Sequence, residues 1–317
     1  MMTLVVGAGA IGIAIATFLR SQDVQVDILA RGKTLQALRE KGIGRNGLFG
    51  EYSCPAGDVG AYESYEELPS DAYDYVIISP KTMANPEVSK ELWNHRECLK
   101  KNGKLVIMQN GWGNDVPYLE YFPKEQVYNA RVITGFLRPE PNISHVTVHT
   151  APILLGSLHG CDNSCMEPLA HALDTAGMPT QVTEDVGKFL WAKMLYNTTL
   201  NPLGAILGVN YGKLMESESS RAIMDQLIDE TYAVMDAAGY TTNWATAEEY
   251  KQVFYEKLIP DTYYHRASTL QDIEKKQKTE IDTLNGCIVD LAKKYGVPVP
   301  GHTMIVRLIH SMEDNFE

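Results

Sequence analysis

An α/β amino-terminal domain followed by an all-α carboxy-terminal domain is the fold class this sequence predicts, and three observations predict it. The first is a glycine pattern, Gly7-Ala8-Gly9-Ala10-Ile11-Gly12, set between a short apolar strand and an apolar helical run. The second is the recurrence of short apolar strands, with helical segments among them, as far as Val182. The third is a change of texture after Asp185, beyond which strands disappear and helical runs follow one another to the end. A chain of 317 residues suits two domains of ordinary size. The boundary is expected near Glu184, giving a dinucleotide-binding domain of Rossmann type over 1–184 and an all-α substrate and catalytic domain over 185–317. No proline-rich or serine-rich linker separates them, so tight packing with a cleft between the halves is expected.

Composition narrows the function classes. The formal net charge of -12 opposes non-specific binding of a polyanion, which needs a basic face, so no nucleic-acid partner is expected. No run approaches the roughly 20 apolar residues of a membrane-spanning helix. The chain opens directly on strand-like Thr3-Leu4-Val5-Val6, with no basic leader, and a cytoplasmic protein is expected. Five scattered cysteines fit a reducing compartment. Cys161, Cys165 and His159 lie close in sequence, but their spacing is not that of a zinc site, and no metal is expected.

Taken in order, Leu4–Val6 reads as a strand, and the run to Leu19 as a helix. Gly7 permits a tight turn, Gly9 lets backbone approach a pyrophosphate, and Gly12 lets the helix lie close on the strand. The helix then turns its free N–H groups and positive end toward the phosphates, with Ala8, Ala10 and Ile11 completing the loop. The second strand, Val24–Leu29, carries Asp27 in its interior and ends at Arg31-Gly32-Lys33-Thr34. Arg31 stands where a 2′-phosphate would sit and Lys33 adds a second charge, so the reading is NADP over NAD. The alternative for Arg31 is a surface arginine stacking on adenine, which does not discriminate. Residues 42–68 read as a hairpin or irregular insertion. Tyr73–Ser79 is the next strand, ending at Pro80-Lys81, where Lys81 either reaches the cofactor or is solvated. A helix is expected over 87–100 and a strand over 103–108. That strand ends in Gln109-Asn110-Gly111-Trp112-Gly113, where Asn110 offers a donor and an acceptor to a ligand. Further strands are expected at 132–133, 145–149 and 153–156, then a helix at 167–176 and a strand at 180–182. His145 and His149 read as exposed strand residues. Beyond the boundary, helices are expected at 187–201, 203–207, 219–238, 245–257, 264–276, 281–295 and 303–312.

On the first of these helices Lys193, Asn197 and Asn201 recur every fourth residue and form one polar stripe, flanked by Leu190, Trp191, Met194 and Leu195. Such a stripe predicts a half-buried helix with its wet face on a ligand. Asn201 before Pro202 has a second reading, an N-cap with proline at the first helical position.

Several segments together resemble the ketopantoate reductases, and nearly in full length. They are the glycine loop, Pro80-Lys81, Gln109-Asn110-Gly111-Trp112-Gly113, the K-x-x-x-N-x-x-x-N-P pattern at Lys193–Pro202, Ser268-Thr269-Leu270-Gln271-Asp272, and T-E-I-D-x-x-N-G at Thr279–Gly286. The resemblance implies an NADPH-dependent 2-dehydropantoate 2-reductase of pantothenate biosynthesis, with Lys193 as general acid and Glu280 near that lysine and the nicotinamide ribose. It also implies Asn197, Asn201 and Ser268 as substrate-binding residues, with a small 2-oxo acid as partner and a second copy of the chain as a candidate for self-association. The chemistry is consistent: hydride reaches the carbonyl carbon while an ammonium hydrogen-bonded to the oxygen stabilises the alkoxide and gives it a proton. One straight helix from Ser268 to Glu280 would part them by about 18 Å. A shared site therefore predicts a break near Lys278, with Thr279 capping a new helix. Two positions depart from the family pattern, Tyr211 and His265, each where asparagine is frequent, and both bear on the substrate pocket. The rival readings are a reductase of another 2-oxo acid and a non-catalytic dinucleotide sensor.

Overall fold

The computed structural model describes residues 1–316, and these divide into two compact units. The first comprises 1–109 and 114–186; the second comprises 187–316 together with the tetrapeptide Asn110–Gly113. That excursion of four residues was not anticipated by a single boundary near Glu184.

In the first unit the strands are β1 (Met2–Val6), β2 (Gln25–Leu29), β3 (Ile43–Gly47), β4 (Tyr52–Cys54), β5 (Gly60–Tyr62), β6 (Tyr73–Ile78), β7 (Leu99–Ile107), β8 (Val127–Arg131), β9 (Thr134–Glu140), β10 (Ile143–His149), β11 (Ile153–Gly156) and β12 (Thr180–Val182). The helices are α1 (Ala10–Arg20), α2 (Gly32–Lys41), α3 (Asn85–Asn94), α4 (Val116–Leu119) and α5 (Glu167–Thr175). An eight-stranded sheet has the order β12-β11-β8-β7-β6-β1-β2-β5, parallel except where β11 meets β8. Its strands read as continuous apolar runs because both faces are covered. Val5, Ile77 and Val106 belong to one buried layer, and Leu4, Val6, Ile78 and Ile107 to the other. From β1 the chain winds to β2 and β5 on one side and to β6 and β7 on the other, so the turn after β1 sits at a topological switch point, where such folds bind ligands.

The stretch 42–68 is neither a lone hairpin nor irregular. β5 joins the edge of the large sheet, while β3 and β4 join β10 and β9 in a second sheet of order β4-β3-β10-β9. Helix α1 packs against β1 and β2 on one side and against β3, β9 and β10 on the other. This explains why Gly12 through Leu19 are all buried and α1 has no polar face.

The second unit is all helical, with a core built on Trp191, Met194, Leu195, Leu227, Ile228, Phe254 and Ile288. Its helices are α6 (Val186–Leu207), α7 (Tyr211–Glu216), α8 (Glu218–Ala238), α9 (Ala247–Val253), α10 (Ile259–Asp261), α11 (Ser268–Glu274), α12 (Asn285–Tyr295) and α13 (Pro300–Asp314). The two segments expected at 187–201 and 203–207 are one helix with Pro202 inside it. This excludes the N-cap reading of Asn201. Proline lacks the N–H that would meet the Thr198 carbonyl, and that carbonyl instead accepts from Asn285 Nδ2 at 2.8 Å. A side chain from the T-E-I-D-x-x-N-G segment thus repairs the helix that carries the lysine stripe. Among the described residues, no helix is long and apolar enough to cross a membrane.

Candidate functional site

The glycine loop of the first unit closes as the spacing requires. Gly7 adopts φ +97°, and a Cβ there would fall 2.5 Å from the Pro80 nitrogen. A Cβ on Gly12 would fall 2.2 Å from the Gly7 carbonyl oxygen, so only glycine lets α1 sit this close to β1. Gly9 is different: it is the N-cap of α1, and a Cβ on it would meet nothing nearer than 4.0 Å. The first turn of α1 holds no acidic residue and no capping side chain. The loop residues Gly7, Ala8 and Gly9 line a groove of ≈ 330 Å³ with Ala30, Arg31 and Thr34. An uncapped helix N-terminus beside an open glycine fits the pyrophosphate of a dinucleotide.

Asp27, the one acid on β2, is not available to a ribose. It is buried, and accepts a hydrogen bond from Tyr73 Oη at 2.7 Å. Burial raises its pKa, an effect that the bonds from Tyr73 and the Gly60 backbone oppose. Arg31 is exposed at the N-cap of α2, lines the groove, and lies 3.6 Å from Glu87. Lys33 is exposed on the first turn of α2. Lys81 is exposed beside the groove-lining Pro80 but does not itself line the groove. Among the groove residues that the sequence did not single out is Arg138, on β9. Its contribution arises from the second sheet, which strand periodicity alone did not reveal.

In the second unit, the residues expected to do chemistry meet around Asn110. Lys193 Nζ donates to Asn110 Oδ1 at 2.6 Å, and Asn110 Nδ2 donates to Glu280 Oε2 at 3.5 Å. Asn110, expected to touch the cofactor, is the bridge between the two expected catalytic residues. Each of the three is half-buried.

Local structure explains the meeting. The Trp112 N–H donates to the Thr283 carbonyl at 3.0 Å, and Gly111 at φ +98° lies so close to Thr283 that a Cβ would fall 2.4 Å from that carbonyl oxygen. The Trp112 ring packs 5.0 Å from Trp191 and 5.0 Å from Tyr240, while Trp191 stacks on Tyr240 at 4.9 Å. Trp191 precedes Lys193 by two residues and Thr283 follows Glu280 by three, so the tetrapeptide is anchored at both ends of the constellation. The G-W-G sequence was the available signal for this.

The break between Ser268 and Glu280 exists, but earlier than expected. Helix α11 ends at Glu274, and Lys276 takes φ +52°. The segment that follows is a single tight turn at Ile281–Thr283 rather than a long helix, and its N-cap is Glu280, not Thr279 as expected. The Thr279 hydroxyl, one residue earlier, accepts from Ile281 N at 3.2 Å. Its backbone N–H and hydroxyl both donate to Glu313 Oε1, at 2.8 and 2.7 Å, and Lys278 donates to the other carboxylate oxygen at 3.1 Å. Burial would raise the Glu313 pKa, but these bonds hold it below the ordinary value. Glu313, on α13, thereby fixes the turn that carries Glu280.

The substrate-binding expectations fare unevenly in their surroundings. Asn197 is half-buried one turn beyond Lys193, and Ser268 is exposed at the start of α11. Asn201 is buried, and its Oδ1 accepts from the Tyr211 hydroxyl. Burial holds the Tyr211 pKa well above its usual value, so the phenol remains a donor. Tyr211 also packs its ring 5.0 Å from His265 and donates its backbone N–H to the His265 carbonyl at 3.2 Å. The two departures from the family pattern are therefore one contact.

Comparison with known proteins agrees with both units. Residues 3–160 match the family model described as ketopantoate reductase PanE/ApbA, and residues 185–313 match its C-terminal counterpart. A 2-dehydropantoate 2-reductase of Aquifex aeolicus (strain VF5) is 37% identical over 99% of this chain and 97% of its own. Among solved structures, a ternary complex of D-mandelate dehydrogenase with NADH and anilino(oxo)acetate has a TM-score of 0.87 at 22% identity, covering 100% of this chain and 99% of that one. A PanE/ApbA family ketopantoate reductase from Ralstonia eutropha JMP134 has a TM-score of 0.84 at 25% identity, covering 99% of each chain.

Proposed function

The chain belongs to the ketopantoate reductase family, oxidoreductases acting on CH–OH groups, and we propose that it reduces 2-dehydropantoate to pantoate with NADPH, using Lys193 as the proton donor. The observation that carries this reading is the hydrogen-bonded set Lys193–Asn110–Glu280.

The loop Gly7–Gly12, with Arg31 and Lys81, would hold the dinucleotide, and Asn110 and Glu280 its nicotinamide end. When bound, the cofactor supplies the hydride to the carbonyl carbon. The chain's own residues handle charge and proton. The ammonium of Lys193 faces negative charge growing on the substrate oxygen, stabilises it, and gives up a proton to form the alcohol. Asn110 orients the ammonium through a neutral acceptor, so it fixes direction without adding a counter-charge. Glu280 accepts from the opposite side of the same amide, so one side chain sets the positions of both the ammonium and the carboxylate. Asn197, Asn201 and Ser268 are the candidates to hold the substrate's carboxylate and hydroxyl.

One observation keeps a second substrate in view. The Tyr211 hydroxyl occupies Asn201 Oδ1, which leaves the amide's N–H side to serve a ligand. That N–H can donate to a carboxylate, a carbonyl or a hydroxyl oxygen, so Asn201 is left a donor only. Because Tyr211, one of the two departures from the family pattern, sets that role, the substrate is tested among several 2-oxo acids. Initial rates for a panel of 2-oxo acids, each with NADPH and with NADH, test both points. The expected outcome is that 2-dehydropantoate with NADPH gives the highest kcat/KM. A competitor turning over far faster moves the assignment to another 2-oxo acid, and no turnover of any of them favours a dinucleotide sensor.

A further inference from the structure

Cofactor choice in this fold is ordinarily read at the end of the second strand, which here points to Arg31. Arg31 already has an acid beside it: Glu87 lies 3.6 Å away, and Glu87 and Glu91 both line the groove. A second guanidinium lines the same groove from an unrelated part of the chain. Arg138 sits on β9 in the small sheet, and because α1 is packed between the two sheets, β9 passes the start of α1. Its Nη1 donates to the Ala8 carbonyl at 2.8 Å and lies 3.4 Å from the Thr34 hydroxyl. The group therefore spans from the glycine loop to the first turn of α2, the stretch along which the adenosine ribose lies in such folds. Both of its partners are neutral oxygens, so they orient the fork without neutralising its charge. A guanidinium has five donors, and one nitrogen serves both of these contacts, which leaves the charge and the rest of the fork to serve a phosphate.

We propose that Arg138 is a specificity-determining residue for the cofactor: it forms, with Arg31, a two-arginine clamp for the 2′-phosphate of NADPH. This rests on the reading of the chain as NADPH-dependent. Of the two arms, Arg138 is the one held in place, by two neutral oxygens, whereas Arg31 is exposed and faces the Glu87 carboxylate at 3.6 Å. Selection for the phosphorylated dinucleotide then resides largely in the small sheet, outside the strand-and-loop motif from which it is usually read.

The test is equilibrium titration of the full chain with NADPH and with NADH, for the wild type and for Arg138→Gln. Glutamine keeps a donor for the Ala8 carbonyl and removes the charge. The expected result is that NADPH binding weakens about 10- to 100-fold, the scale of a lost charge-assisted hydrogen bond, while NADH binding changes less than about threefold. Retained NADH binding also serves as the control for folding. Adenosine 2′,5′-bisphosphate should lose its ability to displace NADPH-site ligands in parallel. Equal weakening of both dinucleotides would make Arg138 a support for the glycine loop and overturn the proposal, as would no change in either. A wild type that binds NADPH no more tightly than NADH would overturn the NADPH reading, and the clamp with it. The first pair of failures leaves wild-type preference intact, so the two cases are distinguishable.

Discussion

At Asn110 a single amide does two jobs, and which of its atoms does each is chemically determined. The ammonium of Lys193 can only donate, so it must meet Oδ1, and the Nδ2 side then faces the Glu280 carboxylate. Replacing Asn110 with alanine removes the acceptor that meets the Lys193 ammonium. We expect kcat to fall by up to about 10²-fold, the effect of misplacing a reacting group by an ångström, with a smaller change in KM. Steady-state kinetics read this directly, and an unchanged kcat would remove Asn110 from the proton-delivery set. The Tyr211 ring lies 5.0 Å from that of His265. Residue identity marked both positions as departures, while their contact and the bond to Asn201 depend on α7, a six-residue helix that periodicity did not reveal.

At the scale of elements, α6 is the informative case. The fourfold spacing of Lys193, Asn197 and Asn201 was legible because helical geometry alone converts that spacing to one face. The continuity of the helix through Pro202 was not legible, because it depends on Asn285, more than eighty residues later, meeting the Thr198 carbonyl. Removing that amide by Asn285→Ala should cost about 1–3 kcal/mol, since it leaves a buried carbonyl unsatisfied. In a Pro202→Ala background the helix regains its own N–H, and the cost of Asn285→Ala should shrink by about 1 kcal/mol. Chemical denaturation of the four variants measures this coupling, and strict additivity would show that Asn285 does not compensate for the proline. The break after α11 follows the same pattern. A shared site demanded it, but its position at Lys276 is set by α11 ending at Glu274 and by Glu313 gripping Thr279, a contact made across the fold.

Across the whole molecule, the parts readable from sequence were those that local chemistry enforces: the glycine loop, the buried parallel strands and the change to helices. The parts that were not readable depend on distant pairing. They include the second sheet that carries Arg138 and the grouping of Asn110–Gly113 with the helical unit. Global stability depends on a further buried group of this kind. His302 is fully buried, accepts from Asn285 at Nδ1 at 3.0 Å, and lies 3.0 Å from the Leu227 carbonyl at Nε2, which assigns the proton to Nε2. Burial pushes its pKa down to about 4, against an ordinary value near 6.5. Between those values the unfolded chain binds a proton that the folded chain refuses, so stability falls as pH falls through that window. The contribution is fully present above about 6.5, and up to roughly 3 kcal/mol is lost by pH 4. Denaturation midpoints from pH 7 to 4 should follow this slope, and His302→Gln should flatten it.

On the proposed mechanism Lys193, oriented by Asn110 and Glu280, delivers the proton. Single-turnover oxidation of NADPH at saturating 2-dehydropantoate, for the wild type and Lys193→Ala, tests it most directly when NADPH affinity is measured on the same samples. The expected result is a rate loss of about 10²–10⁴-fold with NADPH binding nearly unchanged. A loss below tenfold, or one matched by an equal loss of NADPH affinity, would contradict it.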